Sequence, residues 1–368
     1  MNGPRTPDAG AGLVTTSLSI GYRPRRALAE GLELEAPRGD LVAVVGPNGS
    51  GKSTLLRVLA GLQAPLEGRV CFEDRDVHHL DPAARARLVG VGLSHHEVPA
   101  HLRVRELVSL GRYPYTSWFG GLTAMDRRTV DEALEITGIS ALAEREVATL
   151  SDGEAQKAHI ARGVAQEAPL LVLDEPTAYL DVTSRFEITH MLRDLAHREG
   201  RLVVFSTHDL AIARETADRM WLFVPGAAPD ARLVQGAPED LALGGMIREA
   251  FSRRGVSFTE DGSPVAPLAS PHPRLSVEVA GPSGPRTEWT RRAIRRAGFA
   301  GVPAEPPLRN TPAGAKGSIS AGPGTETRLR VAVCEAGWAI ESEGEEPEHV
   351  DSILELVGRL RRRAWETT

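Results

Sequence analysis

Cysteine, long apolar runs and surplus basic charge are all scarce in this sequence of 368 residues. Its only cysteines, Cys71 and Cys334, lie far apart, which excludes a disulfide framework and is typical of a reducing compartment. No stretch approaches the roughly 18 consecutive apolar residues of a transmembrane helix, and the opening MNGPRTPDAGAG contains no apolar run of signal-peptide length. The formal net charge of −6 disfavours a general nucleic-acid-binding protein, so we expect no nucleic-acid partner.

The length predicts two domains, because roughly 150 residues form a typical one. Glycine (37 residues) and proline (26 residues) together stay below the share of about 25–30% that is typical of disordered or fibrous chains. Residues 13–251 have an α/β pattern, in which short apolar runs alternate with segments of helical spacing, and this predicts a largely parallel sheet. Strands are predicted at residues 41–45, 170–173, 202–205 and 220–224, and a mostly helical subdomain at about 99–166.

The remainder of the chain predicts a second, smaller domain. Residues 252–274 are interpreted as a linker, since their second half is rich in proline and serine. Residues 275–363 predict a small α+β domain of unassigned role. Its predicted elements are strands at 275–279, 329–333 and 338–340, a helix from Trp289 to Gly298, and a C-terminal helix capped by Asp351 or Ser352.

A phosphate-binding loop is predicted where GPNGSGKST follows the strand-like LVAVV and matches the pattern G-x-x-x-x-G-K-[ST]. Its glycines let the backbone wrap tightly and aim N–H groups inward, and a helix that begins near Lys52 adds its positive dipole end. Lys52 would reach the β- and γ-phosphates of a nucleotide, and the Ser53 hydroxyl would ligate Mg²⁺. The alternative is a glycine-rich turn with an incidental lysine. The predicted nucleotide contacts are Gly46, Pro47, Asn48, Gly49, Ser50, Gly51, Lys52, Ser53 and Thr54.

A pair of carboxylates is predicted at the end of the buried strand in LLVLDEP, residues 170–176. Ligands bind at the carboxyl edge of an open parallel sheet, so Asp174 and Glu175 would lie where the nucleotide binds. Asp174 would hold the Mg²⁺ shell, and Glu175 would orient or deprotonate the attacking water. The alternative is a strand that ends in a solvated acidic loop.

The segment LSDGE at residues 150–154 resembles the signature of ATP-binding cassette (ABC) ATPases, which is usually LSGGQ. Asp152 stands in place of the middle glycine and Glu154 in place of the glutamine, whereas Ser151 and Gly153 match. Ser151 and the N–H groups around Gly153 begin a helix and would form a second anion site. The alternative is a plain serine-capped helix.

Further segments resemble the same family in the same order along the chain. AYLD at residues 178–181 resembles its D-loop and ends at Asp181, and STHD at 206–209 places His208 at the switch-histidine position. A lone histidine is more often structural, but this position favours a contact with the γ-phosphate. Tyr22 in SIGY resembles the aromatic residue on which adenine stacks, and a core tyrosine is the alternative.

One feature of the family is missing: a glutamine normally follows a strand ahead of the helical subdomain, but the corresponding segment VGVGLSHHEVPAHLRVREL, residues 89–107, contains none. By position Ser94, His95, His96 or Glu97 would replace it, and His95 is favoured. A histidine metal cluster is a weaker alternative to solvated loop histidines, because the spacing is irregular; the residues concerned are His78, His79, His95, His96 and His101.

The segment ELVSLGRYPYTSWFGGLTAMD at residues 106–126 resembles the ATPases that serve importers of ferric siderophores, haem and cobalamin. Its aromatic side chains would contact the cytoplasmic helix of a permease or pack in the core of the helical subdomain. These aromatic residues are Tyr113, Tyr115, Trp118 and Phe119.

The resemblance covers about residues 13–251 and implies a P-loop ABC ATPase domain with a mixed sheet and an inserted helical subdomain. It implies hydrolysis of MgATP by a head-to-tail homodimer, with Lys52, Glu175 and His208 at the reacting phosphate and Ser151 facing the nucleotide of the second copy. It also implies permease partners, indirectly an extracytoplasmic substrate-binding protein, and a peripheral location on the cytoplasmic side of the inner or plasma membrane. The alternative is an ABC ATPase that works without a membrane, in iron–sulfur assembly or on nucleic acid.

Overall fold

The computed structural model describes residues 12–22, 26–92, 101–116, 121–224, 232–251, 257–258, 264–265, 275–282, 284–297, 299–302, 327–334, 337–342 and 345–366. The chain divides into two compact units, Met1–Pro264 and Val265–Thr368. This division falls inside the predicted linker 252–274, in which two short strands pair with each other and the other residues lie outside the described ones. Within the described residues, none of the helices combines the length and the apolar character that crossing a membrane requires.

The first unit contains eleven strands among its described residues up to residue 251. They are β1 (Leu13–Tyr22), β2 (Arg26–Leu32), β3 (Glu35–Ala36), β4 (Leu41–Val45), β5 (Glu67–Phe72), β6 (Arg75–Asp76), β7 (Val89–Gly92), β8 (Leu170–Leu173), β9 (Leu202–Thr207), β10 (Arg219–Val224) and β11 (Arg232–Gly236). Its helices are α1 (Lys52–Leu59), α2 (Pro82–Leu88), α3 (Val104–Ser109), α4 (Ala124–Ile136), α5 (Asp152–Ala165), α6 (Val182–His197), α7 (Leu210–Thr216), α8 (Pro238–Leu243) and α9 (Met246–Phe251).

The central sheet has the strand order β11-β10-β4-β9-β8-β7. All neighbours are parallel except β10 and β11, which pair antiparallel at one edge. Strands β4, β8 and β9 are fully buried, as expected for apolar runs covered on both faces. Because β4, β9 and β8 are adjacent and parallel, the loops that follow them emerge side by side at one edge of the sheet.

A second, antiparallel sheet has the order β2-β1-β5-β6, and β3 also pairs with β1. It shares a core with one face of the central sheet, in which helix α1 contributes Leu55 and Leu59 and the second sheet contributes Leu18 and Phe72. The two sheets together make the mixed core of the predicted fold class, which is confirmed. The antiparallel sheet itself was not predicted strand by strand, because its partners are far apart in sequence.

The described helical subdomain consists of α3, α4 and α5 with 3₁₀ helices at Leu110–Tyr115, Ser140–Leu142 and Val147–Thr149. Helix α5 packs on α3 and α4, and their apolar side chains join one core that includes Val104, Leu134 and Ala161. Helix α4 begins with a capping box in which the Thr123 hydroxyl and the Asp126 carboxylate satisfy each other's backbone N–H groups.

The described residues of the second unit form a mixed five-stranded sheet with two helices, in agreement with the predicted α+β class. In chain order its elements are β14 (Leu275–Ala280), α10 (Pro285–Arg296), β15 (Ala300–Val302), β16 (Thr327–Cys334), β17 (Gly337–Glu341), β18 (Glu348–Val350) and α11 (Ile353–Glu366). The short strands β12 (Ser257–Phe258) and β13 (Pro264–Val265) precede these elements in the predicted linker and form a separate sheet. The order of the sheet is β15-β14-β16-β17-β18.

In this unit, the start of one helix differs from the sequence prediction and the cap of the other helix agrees with it. The predicted start of its first helix at Trp289 is wrong by one turn, because the helix begins at Pro285, a residue whose fixed φ suits the first helical position. The C-terminal helix is capped by Ser352, whose Oγ accepts the N–H of Glu355 at 3.1 Å, as one of the two predicted caps.

Candidate nucleotide site

The phosphate-binding loop connects β4 to α1. Gly51 takes φ +107° at the residue before the helix, a conformation that L side chains rarely adopt. Gly46 has no room for a side chain, since an added Cβ would lie 2.7 Å from Cβ of Phe223. The loop therefore requires glycine at both positions, one for its backbone conformation and one for its packing.

Lys52 is the first residue of α1, and its side chain is almost completely buried. Its Nζ donates to the carbonyl oxygen of Gly46 at 3.0 Å and to that of Pro47 at 3.3 Å. Burial lowers the pKa of Lys52, while the negative charges of Glu175 and Asp174 act in the opposite direction. The ammonium group is thus held inside the loop, within electrostatic reach of both carboxylates.

Asp174 and Glu175 follow β8 and are joined by Ser206 of β9. The Ser206 Oγ donates to Oδ1 of Asp174 at 2.6 Å and accepts the backbone N–H of Glu175 at 2.8 Å. Asp174 is buried, and its own N–H donates to the carbonyl oxygen of Gly92 at 2.9 Å. Glu175 has φ +49°, a strained value for a non-glycine residue. One hydroxyl therefore fixes both carboxylate residues against the neighbouring strand.

His208 follows β9 and lies opposite Glu175, with its Nδ1 3.7 Å from Oε2 of Glu175. Both residues line a cavity of about 780 Å³ together with the phosphate-binding loop, so the structure brings the predicted lysine, glutamate and histidine around one space. The lining residues are Tyr22, Leu28, Asn48, Gly49, Gly51, Lys52, Ser53, Thr54, Glu175, Ala178, Tyr179, Arg185 and His208.

Tyr22 lies at the end of β1 and at the wall of this cavity. Its hydroxyl lies 2.9 Å from Oγ1 of Thr54 in the phosphate-binding loop, and 49% of the residue is exposed. The alternative of a core tyrosine therefore does not hold, and the ring is available to a ligand in the cavity.

The signature residues lie at the exposed start of α5 and are not among the residues that line this cavity. Ser151 and Glu154 form a capping box: the Ser151 backbone N–H and Oγ both donate to Oε2 of Glu154, at 2.9 and 3.0 Å. Gly153 lies in this first turn, and a Cβ there would come within 3.2 Å of Oγ of Ser184. Asp181 caps α6, where it accepts the N–H of Ser184 at 2.9 Å, and this bonding lowers the pKa of Asp181.

His95, the favoured replacement for the missing glutamine, lies outside the described residues, as do Ser94, His96 and Glu97. The described part of the chain contains no group of three or more His, Cys, Asp or Glu side chains that could hold a metal ion. Of the described histidines in question, His78 lies 2.9 Å from the carbonyl oxygen of Val58, and His79 and His101 are largely exposed.

The residues predicted to hold Mg²⁺, Ser53 and Asp174, offer a hydroxyl and a carboxylate oxygen. Mg²⁺ is a hard cation that binds oxygen ligands and commonly keeps waters and substrate phosphates around one or two carboxylates. Only Oδ1 of Asp174 accepts from Ser206, which leaves Oδ2 for a ligand. The donor set therefore fits this ion.

Sequence reasoning missed two residues at this site. Ser206 stands in the recognised STHD segment, but nothing in the sequence indicates that it joins two carboxylates. Arg185 of α6 lines the cavity, and its Nε donates to the carbonyl oxygen of Leu180 at 2.8 Å. Only the folding of α6 against the loop that follows β8 reveals this position.

The aromatic side chains in the segment 106–126 differ in their environment. The Tyr115 hydroxyl donates to the carbonyl oxygen of Gln166 at 3.0 Å, and its ring lies 4.1 Å below the guanidinium carbon of Arg112. Tyr113 is 78% exposed, and Trp118 and Phe119 lie outside the described residues. Tyr115 thus has a packing role, whereas Tyr113 is open to a partner.

Comparison with known proteins provides evidence that is independent of this geometry. Residues 14–178 match the family model described as ABC transporter. The chain is 39% identical over 262 residues to the cobalamin import ATP-binding protein BtuD of Halobacterium salinarum, which covers 70% of this chain and 64% of that protein. It is 34% identical over 265 residues to the ferric enterobactin transport ATP-binding protein FepC of Escherichia coli, which covers 72% of this chain and 95% of that protein.

A solved structure is similar as well: the ATP-binding cassette MJ0796, determined as a dimer in a post-hydrolysis state bound to ADP and Pi. It has a TM-score of 0.50 and 26% identity, and the match covers 57% of this chain and 93% of that one. The chain spans about two thirds of the Halobacterium relative and nearly all of the Escherichia coli relative. The chain belongs to the family of ABC transporter ATP-binding proteins.

Proposed function

We propose that this chain is the ATP-hydrolysing, energy-coupling subunit of an ABC importer. The observation that carries the proposal is the edge of the central sheet, where the loops after β4, β8 and β9 bring Lys52, Glu175 and His208 around one cavity. A glycine-rich loop with a buried lysine fits a phosphate chain, and a carboxylate beside it fits activation of water. These are the parts that hydrolysis of a β–γ phosphoanhydride bond requires.

Each residue has a separate part in the proposed reaction. The loop N–H groups and Lys52 bind the phosphates, and Glu175 accepts a proton from the attacking water. His208 contacts the γ-phosphate, and the Tyr22 ring stacks on the adenine. Ser206 holds Asp174 and the Glu175 backbone in place through the bonds described above. Ser53 and Asp174 would hold Mg²⁺, which would supply positive charge to offset the negative charge of the phosphates.

The proposal includes a homodimer that shares two ATP molecules. Ser151, Gly153 and Asp181 lie outside the cavity of their own chain, although the family resemblance gives them contacts with nucleotide or with the dimer partner. A head-to-tail dimer reconciles these facts, because each Ser151 turn would then face the nucleotide of the other copy. The similar cassette MJ0796, a dimer with bound ADP and Pi, supports this arrangement.

The cargo that we propose is an iron(III)–siderophore, haem or cobalamin. Relatives of 34–39% identity are named for cobalamin import and ferric enterobactin transport, which supports iron chelates and cobalamin, while haem rests on the resemblance of residues 106–126. The same names favour import over the alternative of an ABC ATPase that works without a membrane. We infer permease partners, indirectly an extracytoplasmic binding protein, and a peripheral site on the cytoplasmic side of the inner or plasma membrane.

A groove on the first unit is suited to the permease contact. This cavity of about 330 Å³ lies between α2, β7 and the start of the 3₁₀ helix, and its lining includes Leu62, Arg85 and Leu110. Leu62 and Leu110 are each about half exposed, and Tyr113 follows on the same 3₁₀ helix. An amphipathic helix would bury these apolar side chains.

We also propose the domain limits: the ATPase domain spans residues 13–251, the linker 252–274 and the C-terminal domain 275–363.

The central test is Glu175→Gln, with Glu215→Gln on the exposed face of α7 as the matched control. Loss of the general base should lower the rate of ATP hydrolysis about 100-fold or more while ATP still binds, and the protein should accumulate as a nucleotide-bound dimer. Steady-state turnover and light scattering with ATP measure the two effects. Turnover of Glu175→Gln at the level of Glu215→Gln would refute the assignment of Glu175.

The proposed coupling to a membrane permease is tested by a separate binding experiment. The unmodified chain, used as bait on detergent-solubilised membranes of its source, should retain an integral membrane protein, and Leu110→Glu should lose it. Retention of soluble proteins alone would favour the ATPase that works without a membrane.

A further inference from the structure

The signature turn differs from a simple anion site in that its donors are already in use. The backbone N–H and the hydroxyl of Ser151 both donate to one carboxylate oxygen of Glu154, and the Glu154 N–H donates back to the Ser151 Oγ at 3.3 Å. These hydrogen bonds lower the pKa of Glu154, so its side chain is an anion at neutral pH. An anion therefore occupies Ser151 before any nucleotide arrives.

The charges around this turn are mixed, and the nearby cations Arg145 and Lys157 also lower the pKa of Glu154, which stabilises its anion at Ser151. Asp152 adds a second carboxylate in the first turn of α5, against a helix dipole worth roughly half a unit charge. Lys157, one turn further along, forms an ion pair with Glu187 at 2.8 Å. The Arg145 guanidinium donates to the carbonyl oxygen of Thr149 at 2.8 Å. Within residues 151–154, the turn that is proposed to receive a triphosphate from the second copy, both ionisable side chains are thus carboxylates.

We infer that Glu154 competes with the γ-phosphate of the opposing ATP for the Ser151 donors and thereby sets the ATP concentration at which two copies of this chain join. The inference rests on the proposed function, since it needs the shared site. Closure of the dimer must move the Glu154 carboxylate away from Ser151 or bring two anions together, and either event weakens the ATP-bound dimer. Glutamine at this position would keep the capping geometry, because its amide oxygen accepts the same bonds without a charge.

The chain offers a matched comparison within the same turn. Glu154→Gln removes the competing charge, and Asp152→Asn removes an equal charge that has no hydrogen bond to Ser151. Each is introduced into the Glu175→Gln protein, so that ATP is not consumed during the measurement. Glu135→Gln, on the exposed end of α4, controls for the change in net charge of the whole protein.

Dimer formation is measured by light scattering or sedimentation over a range of MgATP concentrations. For Glu154→Gln the concentration at half-maximal dimerisation should fall about tenfold, as expected for removing one unit charge beside a phosphate in a partly hydrated site. Asp152→Asn should give a fall of about threefold or less, and Glu135→Gln none. Raising the salt concentration should reduce the difference between the half-maximal MgATP concentrations of the parent and of Glu154→Gln, because screening weakens the repulsion that the variant removes.

The outcomes separate this inference from the proposed function. If parent and Glu154→Gln dimerise at the same ATP concentration, or if Asp152→Asn has the larger effect, Glu154 does not compete for Ser151 and the inference is wrong. If none of the proteins dimerises although all bind ATP, the shared site itself is wrong and the inference falls with it. A thermal unfolding midpoint equal to that of the parent confirms that Glu154→Gln retains the helix cap.

Discussion

The phosphate-binding loop and the Ser151 turn both lead into a helix, yet the molecule completes them in opposite ways. The Lys52 side chain of the loop is buried, and it lies beside a cavity that residues of the same chain line. The Ser151 turn is exposed, and Glu154 of the same turn satisfies its donors. A buried lysine and a cavity accompany the helix N-terminus of the loop, whereas two acidic residues accompany that of the turn. In the proposed dimer, the turn meets a nucleotide only through the second copy.

The strongest test of this contrast is to disable the loop in one copy of the chain and the Ser151 turn in another. Lys52→Ala and Ser151→Ala should each lower ATP hydrolysis about 100-fold, by analogy with the loss of one preorganised donor to a developing charge. Mixing the two proteins should restore activity, because a heterodimer contains one undamaged loop opposite one undamaged turn. ATPase assays on mixtures at varied ratios measure the recovery.

The mixture needs its own control. Two preparations of Lys52→Ala, mixed in the same way, should show no recovery. Absence of recovery in the Lys52→Ala and Ser151→Ala mixture would mean that the turn does not serve the site of the other copy, and the contrast between the two regions would then be one of burial alone.

A smaller effect is expected from Ser206→Ala, which leaves the loop and the turn unchanged. Loss of the hydroxyl frees Asp174 and the Glu175 backbone, so kcat should fall about tenfold, the lower end of the range for residues that orient ligands of a metal site. The KM for ATP should change little, since Ser206 does not line the cavity. Ser109→Ala, which removes a hydroxyl bonded within α3 at 2.7 Å, is the control. An unchanged kcat would show that the carboxylates do not depend on Ser206.

The smallest effect is expected from Tyr22→Phe, which removes the contact with Thr54 and keeps the ring. The KM for ATP should rise about fivefold, in line with a net worth near 1 kcal/mol for one hydrogen bond. Tyr22→Ala should raise it further if the ring stacks on adenine. Equal KM values for Tyr22→Ala and Tyr22→Phe would remove the stacking role and leave Tyr22 as a support for the loop.

Local segments were predicted well wherever neighbouring residues decide the structure. The strands 41–45 and 170–173 and the helix that begins at Lys52 lie where the apolar runs and the glycine pattern indicate. The first helix of the second unit was misplaced by a turn, because its start depends on Pro285 rather than on the apolar periodicity. The antiparallel sheet was also missed, since β1 pairs with β5, which lies about fifty residues later.

Contacts between distant residues were beyond prediction for the same reason. The buried Arg112 shows this: its Nε donates to Asp126 at 2.9 Å and its Nη1 to the carbonyl oxygen of Ala165 at 2.8 Å, so that it ties α4 to the end of α5. Neither periodicity nor motif spacing indicates which buried acid a buried arginine will meet. Such pairs depend on the crossing of helices, which side-chain packing decides.

The sequence by itself determined the order of the motifs, the residue types that suit phosphate and Mg²⁺, and the alternation that requires a mostly parallel sheet. These depend on spacing over a few residues, which the chain carries into any fold. Only the tertiary structure decided that β4, β9 and β8 are adjacent, that Ser206 joins Asp174 to Glu175, and that the Ser151 turn lies outside its own cavity. Strand order and long-range hydrogen bonds arise from the packing of the whole core, to which residues far apart in sequence contribute together.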